Sequence, residues 1–359
     1  MSPETRILVT GAGGFIGGWL VEALSLNGFT HVRGGVRRWS TAARIARFPV
    51  EIVLSDLVNV DQVRGAMKDI DVVIHCAYGS RESTVKGTEN LLEASRQQNV
   101  KRFVHLSTID VYGGIEGEVT EQAPLRLTGS AYGDSKIEAE NLCSAYAKNG
   151  LTVVILRPTI VYGPFCKLWI SKFAERLASG KWGIFRGVGE GTCNLVYVQD
   201  LIQAILLAID NDKAVGEAFN INGSDMLTWN EYFRRLNSFL QLPPLREIEP
   251  GSAHIRSGVM TPVKSIARYL VSNFGSTITA VYRKSETARR LMKKTEENMK
   301  ASPGPQELKM YGLKVHYGIS KAQSILGYKP RHDVASGLDM STQWLNHESM
   351  FSQTLPTKG

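Results

Sequence analysis

The chain has 359 residues, 43% of them hydrophobic, and carries 42 lysines and arginines against 34 acids, a net charge of +8. That composition excludes a disordered or fibrous chain and suffices for one large domain plus a smaller one. The basic excess suits small anionic ligands such as phosphorylated cofactors, and nucleic acid is not an expected partner. Four cysteines, Cys76, Cys143, Cys166 and Cys193, lie far apart without a Cys-x-x-Cys pair, so neither a zinc site nor a disulfide framework is indicated, and no metal is expected. No stretch nears the roughly 18 to 20 apolar residues that cross a bilayer. The first hydrophobic run is a short strand rather than the core of an export signal. Reduced thiols in a cytoplasmic protein are the expectation.

Taken in chain order, Ile7 to Val9 reads as a strand and runs straight into Gly11-Ala12-Gly13-Gly14-Phe15-Ile16-Gly17, which opens an amphipathic helix. A glycine turn between strand and helix lets the backbone approach a pyrophosphate, whose charge then faces the free N–H groups of the helix. The spacing is Gly-x-x-Gly-x-x-Gly through Gly11, Gly14 and Gly17. Further strands are expected at Val32 to Val36, Ile52 to Leu54, Val72 to His75, Phe103 to Leu106 and Val153 to Leu156. Helical periods lie between them, for example Thr88 to Gln98 and Ala131 to Lys148. Short strands alternating with helices imply right-handed crossovers, and hence an α/β fold with a doubly wound parallel sheet, the Rossmann arrangement.

After Pro164 the rhythm loosens. Helices are expected near Leu168 to Ala178, Asp200 to Ile209 and Trp229 to Leu240, with strands near Leu195 to Val198 and Ala218 to Ile221 returning to the main sheet. The expected division is a dinucleotide-binding domain over 1–164 with returns near 195–222. A smaller, mostly helical substrate domain takes 165–194 and 223–359. Within it, 263–300 reads as a helical segment with an apolar first half and a second half crowded with arginine and lysine. A cap helix followed by a solvated helix is the simpler reading there, ahead of peripheral membrane contact.

Tyr132-Gly133-Asp134-Ser135-Lys136 places a phenol and an ammonium on one helix face, about 6 Å apart along the axis. A phenol with a pKa near ~10 needs nearby positive charge to exchange protons at neutral pH. Ser107 to Gly113 follows a central strand at the rim where open parallel sheets bind ligands, so a hydroxyl there can meet a substrate oxygen. At the end of the second strand stands Gly35-Val36-Arg37-Arg38, with arginine where an acid would bind ribose hydroxyls. Arginine suits a 2′-phosphate, so NADP(H) is favoured, with NAD(H) as the alternative.

Together these segments resemble the extended short-chain dehydrogenase/reductase family, which holds nucleotide-sugar epimerases and dehydratases, hydroxysteroid dehydrogenases and dihydroflavonol reductases. The resemblance runs from Thr10 to Gly17 through Ser55-Asp56-Leu57, His75-Cys76-Ala77, Ser107 to Gly113, Tyr132 to Lys136, Arg157 to Pro164 and Val196 to Asp200, to Leu326-Gly327-Tyr328-Lys329-Pro330. It implies Tyr132 as acid/base, Lys136 as the partner that lowers its pKa and holds the nicotinamide ribose, and Thr108 as the hydroxyl that orients the substrate. It further implies cofactor contacts from Gly11, Gly14, Phe15, Ile16 and Gly17, from Arg37 and Arg38, from Asp56 and Leu57 at the adenine, and from Cys76 and Ala77. Pro158 and Val161 would edge the nicotinamide.

Two departures narrow the reaction. Ile109 replaces the acid that dehydratases carry beside Asp110, which disfavours dehydration. Cys193-Asn194 stands where nucleotide-sugar members tend to have a diphosphate-gripping arginine, leaving Arg186 or Lys181 as substitutes. The expected function is hydride transfer at a secondary alcohol or ketone carbon, as oxidoreductase or epimerase, with a sugar or nucleotide sugar ahead of a hydrophobic steroid- or flavonoid-like compound. A non-catalytic dinucleotide-binding protein is the reading of another class, and retention of Tyr132, Lys136 and Thr108 counts against it. A homodimer is left open.

Overall fold

In a computed structural model, residues 1–251 and 302–348 are described. The segment 263–300, singled out by its apolar and basic halves, lies outside them. The described chain forms two compact units. The first comprises residues 1–162, 194–225 and 316–334, and the second 163–193, 226–315 and 335–359.

The first unit is built on a seven-stranded sheet. Its strands are β1 (Ile7–Thr10), β2 (Val32–Val36), β3 (Glu51–Leu54), β4 (Val72–His75), β5 (Arg102–Leu106), β7 (Val153–Pro158) and β11 (Ala218–Ile221). A three-residue strand β6 (Gly117–Val119) and a short β8 (Ile160–Tyr162) fall outside this sheet. The order is β11-β7-β5-β4-β1-β2-β3 and every pairing is parallel. The chain therefore leaves β1 in one direction to β2 and β3, and returns to the other side of β1 at β4. This reversal opens a crevice at the carboxyl ends of β1 and β4, the place where doubly wound sheets bind nucleotides.

Helices α1 (Phe15–Leu26), α2 (Val60–Met67), α3 (Arg81–Gln97) and α4 (Ala131–Lys148) make the crossovers. The fully buried runs of β1, β4 and β5 explain why these strands read as continuous apolar stretches without alternation. Leu8, Val63, Val73, Leu91, Phe103 and Cys143 join in one core cluster beneath the helices.

The returns divide differently from the expectation. The strand at Ala218 does join the main sheet beside β7, whereas β10 (Leu195–Tyr197) pairs with β8 in a separate two-stranded sheet. Residues 316–334, expected in the second domain, belong to the first unit. Strand β13 (Val315–Tyr317) pairs with β6, the Tyr328 hydroxyl donates to the Asn222 carbonyl at 2.9 Å, and Asp200 accepts from the backbone N–H groups of Arg331 and His332 at 3.0 and 3.2 Å.

In the second unit, Lys167–Ser171 forms a π-turn that leads into α5 (Lys172–Ala178). Strands β9 (Gly183–Phe185) and β12 (Arg246–Ile248) pair in parallel, and α6 (Trp229–Phe239) starts from a Thr228–Glu231 capping box. Its core is aromatic: Phe173, Trp182, Phe185, Trp229, Phe233 and Tyr311 lie with ring centroids 4.7 to 6.5 Å apart. Arg176, buried among these rings, donates to both carboxylate oxygens of Glu307 at 2.8 and 3.0 Å. No helix among the described residues is long and apolar enough to cross a membrane.

Candidate active site

The glycine turn fits a pyrophosphate. Gly11 has φ +68°, and a Cβ there would lie 2.8 Å from the Ala77 backbone, so the turn packs directly on the chain leaving β4. A Cβ on Gly17 would come within 2.3 Å of the Gly11 carbonyl oxygen, so α1 approaches its own turn as only glycine permits. Gly14 is the N-cap of α1, no side chain caps the helix, and no acid occupies its first turn. Unsatisfied N–H groups and the positive end of the helix dipole therefore stand open to an anion. Phe15 and Ile16 are half-buried at this end.

Around the turn, the side chains divide between exposed and buried positions. Arg37 and Arg38 follow β2, are exposed, and their guanidinium groups have no partner among the described residues. The Asp56 carboxylate accepts from the Val58 N–H at 3.3 Å, which holds its own turn. Leu57 is turned into the core against Gly87 of α3, and Asn90 fastens this loop by donating to the Leu57 carbonyl at 2.8 Å. Cys76 and Ala77 are half-buried on the rim beyond β4, and burial pushes the Cys76 thiol up to about 12. Pro158 and Val161 are buried at the end of β7 and in β8.

Tyr132 and Lys136 lie on the first turns of α4, with Ser130 as N-cap accepting from the Gly133 N–H. Thr108, just beyond the end of β5, is buried, and its hydroxyl accepts from the Asp110 N–H at 3.2 Å. Burial and the facing Asp110 push Tyr132 up to about 12, which the Thr108 hydroxyl opposes. Tyr132 remains 38% exposed, and the edge of Tyr78 meets it with ring centroids 5.7 Å apart.

The Lys136 ammonium is buried and donates to the Leu106 carbonyl at 2.6 Å, immediately before Ser107 and Thr108. Burial lowers its pKa to about 8. Around it lie four side chains to which the sequence reading gave no role. His75 is fully buried between the hydroxyls of Thr10 (2.8 Å) and Thr88 (3.0 Å), and burial drops it to about 3. His105, its register partner on β5, has both ring nitrogens buried without a hydrogen-bond partner. Glu140 and Arg157 form a buried ion pair one turn further along α4. Of the two diphosphate clamps considered, Arg186 is engaged by Glu249 at 3.0 Å and Glu247 at 3.6 Å.

A doubly wound sheet with a glycine-lined anion cradle at its switch point, and a phenol, a hydroxyl and an ammonium together at the carboxyl ends of its central strands, defines a nicotinamide-dinucleotide enzyme. The chain belongs to the NAD dependent epimerase/dehydratase family, whose model matches residues 7–222. It is an extended short-chain dehydrogenase/reductase, of the hydride-transferring oxidoreductase and epimerase class. It is 30% identical over 257 residues to a UDP-glucose 4-epimerase from Vibrio cholerae, covering 66% of this chain and 76% of the relative. A 3 beta-hydroxysteroid dehydrogenase/Delta 5-->4-isomerase from Mycobacterium tuberculosis is 27% identical over 255 residues, 64% of this chain and 68% of the relative. The UDP-glucuronic acid 4-epimerase of Bacillus cereus, solved with UDP-glucuronic acid and NAD, is 25% identical with a TM-score of 0.71, covering 96% of this chain and all of that one.

Proposed function

We propose that this chain oxidises and re-reduces a secondary alcohol carbon of a sugar, most simply the 4-position of a nucleotide sugar, with a nicotinamide dinucleotide held at the Gly11–Gly17 turn. The observation that carries the reading is the placement of the Tyr132 phenol on the first turn of α4, the buried Thr108 hydroxyl just beyond β5, and the Lys136 ammonium fixed at the Leu106 carbonyl at 2.6 Å. When bound, the nicotinamide supplies the hydride acceptor. Thr108 orients the substrate hydroxyl, and Tyr132 exchanges the proton of that hydroxyl. Because burial and Asp110 push Tyr132 up to about 12, it needs positive charge at hand to act as a base at neutral pH, the role we assign to Lys136. Gly11, Gly14 and Gly17 admit the pyrophosphate, and Phe15 and Ile16 present their N–H groups to it. Asp56, Cys76 and Ala77 border the adenosine half, whereas Leu57 contributes packing. Pro158 and Val161 edge the nicotinamide.

The similar solved structure holds NAD, which gives no support to a preference for NADP(H). What supports use of a 2′-phosphate is the pair of unpartnered guanidiniums at Arg37 and Arg38, with no acid beside them.

A second reading, a hydrophobic ring alcohol, is favoured by Tyr78 and Leu127. They stand 69% and 71% exposed, Tyr78 against Tyr132 and Leu127 in the loop entering α4. Incubation with UDP-glucose and, separately, a 3β-hydroxysteroid decides between them. Formation of the 4-epimer of UDP-glucose without accumulating reduced cofactor supports epimerisation, and steroid turnover with net cofactor reduction supports the second reading. In either case Tyr132→Phe is expected to lower kcat by about 10² to 10⁴ while still binding the dinucleotide. Full activity in that variant would remove Tyr132 from the chemistry.

A further inference from the structure

Glu140 stands one helical turn beyond Lys136 on α4, just as Lys136 stands one turn beyond Tyr132, so all three share a face. Lys136 and Glu140 are thus natural i, i+4 ion partners, and both are buried, at 3% and 2% exposure. They are nevertheless not paired. Both Glu140 carboxylate oxygens accept from Arg157 of β7, from Nε at 3.0 and 3.2 Å and from Nη2 at 2.6 Å. Arg157 is itself held: its Nη1 donates to the Tyr112 hydroxyl at 2.8 Å, and that hydroxyl donates to Asn220 Oδ1 at 2.7 Å. The guanidinium also lies 5.1 Å from the centre of the Tyr112 ring.

We propose that Arg157 is a positioning residue that sequesters Glu140 from Lys136, so that the Lys136 ammonium stays at the Leu106 carbonyl as a cation without a counter-ion. This inference rests on the roles given to Tyr132 and Lys136 above. A bidentate guanidinium fork saturates a carboxylate that an ammonium could otherwise capture. Were Glu140 released, it would draw the ammonium one turn away from Tyr132 and neutralise the field the phenol needs.

The other groups facing Lys136 cannot replace Glu140 as an anion. Cys76 on the rim after β4 and Cys143 on α4 are thiols that burial holds protonated at neutral pH. His75 of β4 and His105 of β5 are imidazoles that burial and the ammonium itself keep uncharged. Among the described groups around Lys136, Glu140 is thus the one carboxylate in a position to neutralise it, and Arg157 already holds it.

The test is the titration of the Lys136 side chain, followed by NMR in the full chain saturated with NAD⁺ and assigned with Lys136→Met, together with kcat. Arg157→Met strands a buried carboxylate and risks the fold, so Arg157→Lys, which keeps the charge but loses the fork, is run beside it. In whichever of the two folds, the Lys136 midpoint is expected to rise, by about one unit in Arg157→Met and about half a unit in Arg157→Lys. In both, kcat falls by about tenfold or more. Removing the carboxylate as well, in Arg157→Met/Glu140→Met or Arg157→Lys/Glu140→Gln, is expected to return both quantities toward wild type. An unmoved midpoint in the folded single variants, or double variants with no recovery of kcat, overturns the proposal. The midpoint is read without turnover, so it stands apart from the Tyr132→Phe result that judges the catalytic reading itself.

Discussion

Tyr132 and Lys136 sit at i, i+4 on the helix that their spacing called for, yet their chemical states are set by neighbours the spacing does not show. The phenol is pushed up to about 12 by burial and Asp110, and the ammonium is brought down to about 8 by burial. A bound, positively charged nicotinamide is expected to lower Tyr132 from its value near 12. Ultraviolet difference titration of wild type against Tyr132→Phe, with and without NAD⁺, measures that shift, and an unchanged midpoint would count against the phenol facing the cofactor. At the other end of the site, Arg37→Ala/Arg38→Ala is expected to raise the KM for NADP⁺ by about tenfold or more and to leave that for NAD⁺ within about twofold. Equal effects on both cofactors would assign the two arginines to adenine stacking instead. The glycines, Thr108, Tyr132 and Lys136 were legible because local spacing around one turn or one rim determines them. Glu140 with Arg157, and His75 with His105, were not, because those pairs form only when a helix meets a strand or when strands 30 residues apart come into register. The packing of the Leu57 side chain on Gly87 is set by α3 and is invisible in the Ser55-Asp56-Leu57 triplet itself.

Elements with a strong local pattern appear where the sequence puts them. The helix over Ala131–Lys148 matches at both ends, and the six strands of the first half agree to within two residues. What the sequence did not disclose are the short strands β6, β8, β9, β12 and β13, each three residues long, whose existence depends on a distant partner rather than on their own composition. The same dependence explains why β10 pairs with β8 outside the main sheet. At this scale α1 gives the sharpest expectation. Gly17→Ala would place a methyl group 2.3 Å from the Gly11 carbonyl oxygen. Overpacking of that kind costs about 1–3 kcal/mol, and the displaced turn would lose its approach to the pyrophosphate. Thermal unfolding with and without NAD⁺ is expected to show a lower Tm and loss of the NAD⁺-induced increase, and a variant that is still stabilised by NAD⁺ as wild type is would contradict the cradle.

The molecule as a whole carries a pH dependence written into its central sheet. His75 and His105 are buried and neutral when folded, the first lowered to about 3 and the second also well below its ordinary value. The unfolded chain takes up these protons below about 6.5, so the stability they represent is complete above that pH and is lost as pH falls toward the folded values. Each contributes up to about 1.4 kcal/mol per pH unit within that window. Asp71, held low by Arg6 and Lys101, adds to acid lability only below about pH 4, where an unfolded aspartate protonates. The urea midpoint is therefore expected to fall between pH 6.5 and 5, and His105→Leu to flatten that slope by about one proton; an unchanged slope would contradict a neutral buried imidazole. Above this scaffold, the reading of the protein as an enzyme turns on whether Tyr132 times the transfer of hydride. Rapid mixing of the NAD⁺-loaded chain with the nucleotide sugar proposed above, followed at the absorbance of reduced nicotinamide, measures it directly. Wild type is expected to form the band transiently and Tyr132→Phe to form it about 10² to 10⁴ times more slowly; a band that rises at the same rate in both would contradict the assignment of Tyr132.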